Sequence, residues 1–317
     1  MRFDVLSLGD LVADLLLPIP KLPIRQNEHQ IAHGLFVEPG GAGNFLIAAS
    51  RMGLKAAAIG CVGDDVYGRH IINQLKGEGV DVSDVDLLSE KRTTLTLVLV
   101  DDAGEHVFLG VLGTAKITSL PASWARKTTQ ARAFYTNGYA FLEANPPSLI
   151  VEAIRMAKAK GTLVFFDPGP QIPDIEPSLM KSAVADADVL LLTLEEATML
   201  TGNELPEHAA RELLSQGPML VVLKMGAKGC LISSEDGILK LDAFPVSPRD
   251  TTGAGDAFDA ACVYGVLKGL SLEQMGTLAN AVGGATTTKL GAGTRLPTWK
   301  EVLQLLQQSS VCLPLDD

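Results

Sequence analysis

The chain has 317 residues, is 47% hydrophobic and 20% charged, and carries a formal net charge of −11 from 26 basic and 37 acidic side chains. That length and apolar content suit one large packed domain or two ordinary ones, and the acidic balance argues against a general surface for nucleic acid or an anionic membrane. The four cysteines, Cys61, Cys230, Cys262 and Cys312, include no CxxC pair and have no His-rich companion, so free thiols in a reducing compartment are expected and zinc is not.

The first residues, "MRFDVLSLGDLVADLLLPIP", hold a short buried strand, "FDVLSLG", closed by a Gly turn. Acids and prolines interrupt the apolar run, which excludes a signal peptide or membrane span and leaves the cytoplasm as the expected location. "LLLPIPKLPIRQNEHQIAHGLFVEPGG" has prolines, both signs of charge and weak alternation, as in edge strands crossing a surface. "GNFLIAASRMG" predicts a helix with Arg51 in its last turn and Gly53 as its stop. "KAAAIGCVG" is strand-like, and "KRTTLTLVLVDDAGEHVFLGVLG" predicts two strands around an Asp-Asp-Ala-Gly turn.

From about Ala131 the rhythm changes. "RAFYTNG", "GTLVFFDPG", "ADVLLLT", "PMLVVLKMG" and "GCLISS" are short apolar runs, several separated by helical stretches such as "PSLIVEAIRMAKAKG" and "LPEHAARELLSQG". Continuous apolar strands alternating with helices predict a mostly parallel sheet covered on both faces. The C-terminal third is helical, with Ser271–Gln274 and Thr298–Glu301 spaced as capping boxes. The expectation is a single α/β domain over residues 1–317: three layers, α/β/α, plus a small β-sheet lid from about residues 14–38 and 92–113.

The stretch "RDTTGAGDAFDAA" carries the chemistry. Asp256 reads as a helix N-cap in the plain interpretation, with the glycines as a loop. In the functional one, the amides of Gly253, Ala254 and Gly255 at a helix N-terminus form an anion site. A carboxylate beside such a nest repels ground-state phosphate, but phosphoryl transfer needs one there to take a proton from an attacking hydroxyl. No GxxxxGK[ST] sequence is present, and "GGAGN" is not a GxGxxG fingerprint.

Taken with "PGGAGNFLIAASRMG" and "GCVGDDVYG", this stretch resembles the PfkB, or ribokinase-like, family of carbohydrate and nucleoside kinases. The resemblance runs nearly the whole chain in order, through "LGDLVAD", "TLEEATMLTG", "VVLKMGAKGC" and "ANAVGGATTTKLGAG". It implies an ATP- and Mg²⁺-dependent kinase of a small sugar or nucleoside, with Asp256 as catalytic base and Gly253, Ala254 and Gly255 as the anion hole. It implies that Asp14, Gly41 and Asn44 bind the acceptor, that Glu196 organises Mg²⁺ through water, and that Lys224, Gly226 and Asn280 line the nucleotide. Main-chain oxygens near Asp250 and Thr252, with the Gly291 loop, resemble the monovalent-cation site of many members, with K⁺ as candidate occupant. Related proteins often dimerise through the lid, so a homodimer is expected.

Plain alternatives stand beside these roles: Asp14 as a strand-end acid, Asn44 as a helix cap, Glu196 beside Glu195 on a solvated face, Lys224 as a surface lysine. Asp64 and Asp65 read as turn residues. Against the family pattern, Thr193 stands where Asn is usual, three before Glu196, and "DPGPQ" replaces Asp-x-Asn-x-Arg. A nucleoside kinase would need an apolar wall, for which Phe36, Phe108 or Phe141 are candidates. A phosphosugar kinase would need a cationic pocket, with Arg25, Lys91 and Arg92 in the lid segments. A catalytically silent sugar- or nucleotide-binding regulator is the remaining alternative.

Overall fold

The apolar runs become strands whose successive residues face opposite cores. In a computed structural model that describes residues 2–315, the strands in chain order are β1 (Phe3–Leu8), β2 (Leu11–Ile19), β3 (Phe36–Gly41), β4 (Ala56–Gly63), β5 (Asp81–Leu88), β6 (Leu95–Asp101), β7 (His106–Val111), β8 (Ala131–Asn137), β9 (Leu163–Asp167), β10 (Val189–Thr193), β11 (Leu220–Lys224), β12 (Cys230–Ser234) and β13 (Gly237–Leu241). Nine of them form one sheet in the order β13-β12-β11-β10-β9-β8-β1-β4-β5. It is parallel from β11 to β5, and β12 pairs antiparallel with both its neighbours.

Val5, Leu191 and Val222 point into one core, which they share with helices Ala42–Arg51, Ala254–Lys268 and Leu272–Thr287. Their neighbours Leu6, Leu190, Val221 and Leu223 point into a second core, under helices Ser148–Lys158, Pro177–Asp186 and Pro206–Leu214. A strand buried on both faces has no polar side to alternate with, which is why these segments read as unbroken apolar runs. The result is the three-layer α/β/α architecture expected from the sequence. Both capping boxes form, at Ser271–Gln274 and Thr298–Glu301. No described helix is long and apolar enough to cross a membrane.

The other four strands make a separate sheet in the order β3-β2-β6-β7. β2 pairs antiparallel with β3 and parallel with β6, and β6 and β7 form a hairpin. Its turn is held by Asp101, whose Oδ1 accepts from the amides of Ala103 and Glu105, a side chain mimicking a backbone turn. The register sets Asp14 opposite Glu38 on one side and Thr96 on the other. One face of this sheet buries Leu16, Val98 and Val100 against Phe36 and Leu290, a small third core. β7 leaves Val107, Phe108, Leu109 and Val111 exposed.

Candidate active site

Parallel strands leave their C-terminal ends on one edge, and the polar residues of this chain gather there. Asp10 follows β1, Asn137 ends β8, Asp167 ends β9, Thr193 ends β10 and Lys224 ends β11. Onto this edge helix Ala254–Lys268 directs its first turn.

Gly253 caps that helix in the left-handed region, φ 74°, and an added Cβ would lie 2.9 Å from Ala292 Cβ, so only glycine fits. The carboxylate of Asp256, in the first turn, is not the N-cap. Its Oδ2 accepts from Asn44 Nδ2 at 2.9 Å. Asn44 in turn accepts on Oδ1 from the Gly293 amide at 2.8 Å. Asn44 does not cap its own helix, whose N-cap is Gly41 with no side-chain cap. Burial pushes Asp256 up to about 6; the charge of Asp167 adds to this, while Asn44 and Lys224 oppose it. At neutral pH the carboxylate is ionised and poised near the working range of a general base.

Two further acids sit on two consecutive glycines. A Cβ at Gly40 would overlap the Asp14 carboxyl, and one at Gly41, where φ is 54°, would overlap that of Asp10. Asp14 is buried and pushed up to about 7 by that burial, with the charges of Asp256 and Glu38 adding to it. Asp10 is pushed up to about 8, again chiefly by burial, with Asp256 and Glu143 adding; its Oδ1 accepts from Asn137 Nδ2 at 2.7 Å and the Ala42 amide at 3.3 Å. Glu143 is buried nearby, accepting from Thr94 Oγ1 at 2.8 Å and Lys116 Nζ at 3.4 Å.

On the other side of Asp256 lies a buried charge trio. Lys224 Nζ donates to Asp167 Oδ2 at 2.8 Å and to Asp259 Oδ1 at 3.1 Å, and Tyr135 Oη donates to Asp259 Oδ2 at 3.2 Å. Burial alone would lower the lysine, but the charges of Asp167 and Asp259 outweigh it and hold the ammonium protonated. Lys224 is thus no surface lysine; its Nζ lies 3.6 Å from where a Cβ on Gly255 would stand. Between the two acids the environment divides: the lysine holds Asp167 low, while burial drives Asp259 well up.

Glu196 closes a third capping box. Its Oε2 accepts from the Thr193 amide at 2.7 Å, and Thr193 Oγ1 accepts from the Glu196 amide at 3.2 Å. It is buried rather than on a solvated face, and burial with the Asp167 charge pushes it up to about 7. Asp250 spends both oxygens tying two loops: Oδ1 accepts from the Thr252 amide at 2.9 Å and hydroxyl at 2.7 Å, Oδ2 from the Gly291 amide at 2.7 Å. Among the described residues no group of three or more His, Cys, Asp or Glu could hold a metal directly. Gly226 opens an exposed turn after β11 with φ 56°. Asn280 is buried, its Nδ2 donating to the carbonyls of Leu241 and Asp242, so its side chain secures the segment after β13.

Of the expected residues, the structure joins Asp256 and Asn44 by a direct bond and sets Asp14 close enough to feel the charge of Asp256. Lys224 comes in through the trio, whereas Asn280 bonds backbone carbonyls and Asp250 bonds the Thr252 and Gly291 amides and the Thr252 hydroxyl. Asp64 and Asp65 are structural, pairing with Arg69 and capping helix Val66–Gly77. Phe141 is packed in the second core against Phe166, so it cannot wall a pocket, and Phe36 lies under Arg295. Asp10, Glu38, Glu143, Asn137 and Asp259 were not singled out from the sequence. Asp259 carried a signal: it is a lone acid inside the apolar helical run "AFDAACVYGVL".

A family model described as pfkB family carbohydrate kinase matches residues 2–299. The chain is similar to a nucleoside kinase from Methanothermobacter thermautotrophicus, 26% identical with 95% of this chain and 94% of that protein covered. It is similar to fructokinase-1 of Zea mays, 30% identical over 96% of this chain and 98% of that one. Its fold matches the structure of Arabidopsis thaliana ribokinase complexed with ribose and ATP at a TM-score of 0.82, with 23% identity and coverage of 97% and 99%.

Proposed function

The chain belongs to the pfkB family of carbohydrate kinases and is an ATP-dependent kinase of a sugar or nucleoside; within that class we propose that it transfers the γ-phosphoryl group to a primary hydroxyl of a small neutral sugar. The observation that carries this reading is the Asn44–Asp256 bond at the mouth of the Gly253–Gly255 turn. It aims an ionised carboxylate at the place where an acceptor hydroxyl must lose its proton. The amides of Gly253, Ala254 and Gly255 stabilise charge on the transferring group, and the helix dipole adds to them. Asp14, Gly41 and Asn44 orient the acceptor so that its hydroxyl faces Asp256 and the phosphorus lies in line.

Charge favours a neutral acceptor. Asp10, Asp14, Glu38, Glu143 and Asp256 crowd the acceptor side, and their mutual repulsion is part of what raises Asp10 and Asp14. Hydroxyls can donate to such carboxyls, whereas a phosphosugar would bring more negative charge to them. A nucleoside acceptor is the second reading, because Phe108 of β7, edge-on to the His106 ring, leaves about half its surface exposed for a base to stack on.

Lys224, Gly226 and Asn280 mark the nucleotide side, with Lys224 acting through the trio on the turn that faces the phosphates. The donor set suits Mg²⁺ in an outer-sphere role: among the described residues no three acids converge as direct ligands, while Glu196 is buried beside the Asp167 charge and a hydrated cation would favour its ionised form. Glu196 would hold Mg²⁺ through water, and the ion supplies charge neutralisation on the phosphates when bound. Main-chain oxygens of the Asp250–Thr252 and Gly291 loops, held together by the Asp250 carboxylate, would accept K⁺. The small sheet closes over the acceptor as a lid and excludes water. Its exposed apolar strand, with Val107, Leu109 and Val111, suits a homodimer contact. Four free thiols suit a cytoplasmic protein.

ATP turnover over a panel of neutral sugars, nucleosides and phosphosugars tests the assignment. Turnover confined to phosphosugars, or none with any acceptor, would contradict it.

A further inference from the structure

Three backbone amides of one loop reach three separate parts of the molecule. Gly291 donates to Asp250, Gly293 to Asn44 Oδ1 at 2.8 Å, and Thr294 to Glu38 Oε2 at 2.9 Å. The middle bond continues, because Asn44 Nδ2 donates to Asp256 Oδ2 at 2.9 Å. Adjacent peptides thus bind the small sheet, through Glu38 of β3, and the residue that holds the Asp256 carboxylate.

Glu38 is buried, and a buried carboxylate is costly unless its oxygens are satisfied. Its partners are all on this loop: the Thr294 amide and hydroxyl, and Arg295 Nε at 3.3 Å. The fit is close: a Cβ on Gly293, where φ is 61°, would lie 2.8 Å from Glu38 Cβ. Arg295 stacks 3.7 Å from the Phe36 ring centroid, and Leu290 packs on Leu16. Apolar packing alone would seat the sheet on the loop. The carboxylate adds direction, because it fixes where the Thr294 amide points and therefore where its neighbour's amide points.

We propose that Glu38 is a positioning residue for the phosphoryl transfer: by fixing the 291–294 loop it sets, through Gly293 and Asn44, the orientation of the Asp256 carboxylate, and so couples the seating of the small sheet to the readiness of the base. The inference rests on Asp256 being that base. Misplacement of a reacting group by about 1 Å costs on the order of a hundredfold in rate, so the relay has leverage without touching substrate.

The test compares kcat, ATP Kd by calorimetry and thermal midpoint for Glu38→Ala, Glu38→Gln, Arg295→Leu, Asn44→Ala and the Glu38→Ala/Asn44→Ala double variant. Glu38→Ala is expected to lower kcat about ten- to a hundredfold with ATP Kd essentially unchanged. Glu38→Gln keeps most of kcat, because its amide oxygen still accepts from Thr294. Arg295→Leu removes the ion pair but leaves the relay, and keeps kcat near wild type. The double variant is no slower than Asn44→Ala alone, since one relay is broken once. If Glu38→Ala does not fold, Glu38→Met, which keeps the volume and removes the acceptor, replaces it. Losses that multiply in the double variant, an Arg295→Leu as slow as Glu38→Ala, or a fully active Glu38→Ala would overturn the proposal. Asp256→Asn is assayed alongside: full activity there would remove the base itself, a failure distinct from that of the relay.

Discussion

Asn44 and Asp256 stand 212 positions apart, and the amide of one holds the carboxylate of the other at 2.9 Å. The bond joins the first turns of two helices, Ala42–Arg51 and Ala254–Lys268, that belong to the two glycine-rich stretches of the sequence. Behind it, Phe45 stacks on Tyr135 with ring centroids 3.7 Å apart, and Tyr135 bonds Asp259 one turn below Asp256. Asp256 is thus held by Asn44 on a helix whose next turn is tied to Tyr135, which limits its reorientation when substrate arrives.

The pH dependence of turnover follows from Asp256. A base must be ionised to act, and burial places this one at about 6. The acidic limb of kcat/KM, which reports the free enzyme, is therefore expected to fall as pH drops through about 6. A limb centred near the ordinary aspartate value of about 4 would show that another group controls turnover.

Asp14→Ala is expected to weaken the acceptor much more than ATP. A hydroxyl loses a hydrogen bond to a carboxyl that is about half ionised near pH 7, worth about 0.5–3 kcal/mol, whereas the nucleotide side is untouched. Calorimetric Kd values for both ligands check this. Equal weakening would mean that Asp14 serves the fold.

Much of the architecture was legible because burial on two faces leaves a mark in one dimension: "LVFFD", "VLLLT" and "LVVLK" are strands with no polar side. The second glycine-rich stretch was legible because a left-handed cap at Gly253 has few chemical solutions. Pairings across the sheet edge were not. Lys224 meets Asp167 and Asp259 only because the ends of β9 and β11 meet the start of helix Ala254–Lys268, and nothing local to "VVLKMG" announces it. Glu38 sat in a segment of weak alternation, where its burial could not be inferred. Thr193 is different. Set against the family pattern it looked like a loss, yet Thr-x-x-Glu is a capping signature, one not singled out here from the sequence, and the structure uses it.

Stability should fall as pH rises. Asp10, Asp14 and Glu196 are raised to about 8, 7 and 7, so the folded chain binds more protons than the unfolded one from about pH 4 upward. Where the native state holds more protons, unfolding free energy declines with pH, and the decline ends once the folded groups have ionised, near pH 8. Asp10→Asn keeps an oxygen for Asn137 and Ala42 and cannot ionise, so its thermal midpoint is expected to decline less between pH 6 and 9. Parallel curves for the two proteins would refute the assignment to Asp10.

Turnover is expected to be higher in K⁺ than in a bulky organic cation at equal ionic strength, with Asp250→Ala reducing that difference by freeing the two loops it ties. Equal rates in both salts would mean that the Asp250 carboxylate organises the turn without an ion.

The most direct measurement is a rapid-quench single turnover of Asp256→Asn, with saturating ATP, Mg²⁺ and the best acceptor from the panel, scoring phosphorylated product. The variant keeps the shape of the turn, so fold and ATP Kd should match wild type. The rate of product formation should be lower by at least ~10²-fold, the scale of a lost general base. Product formed at the wild-type rate by a folded, ATP-binding Asp256→Asn would contradict the account.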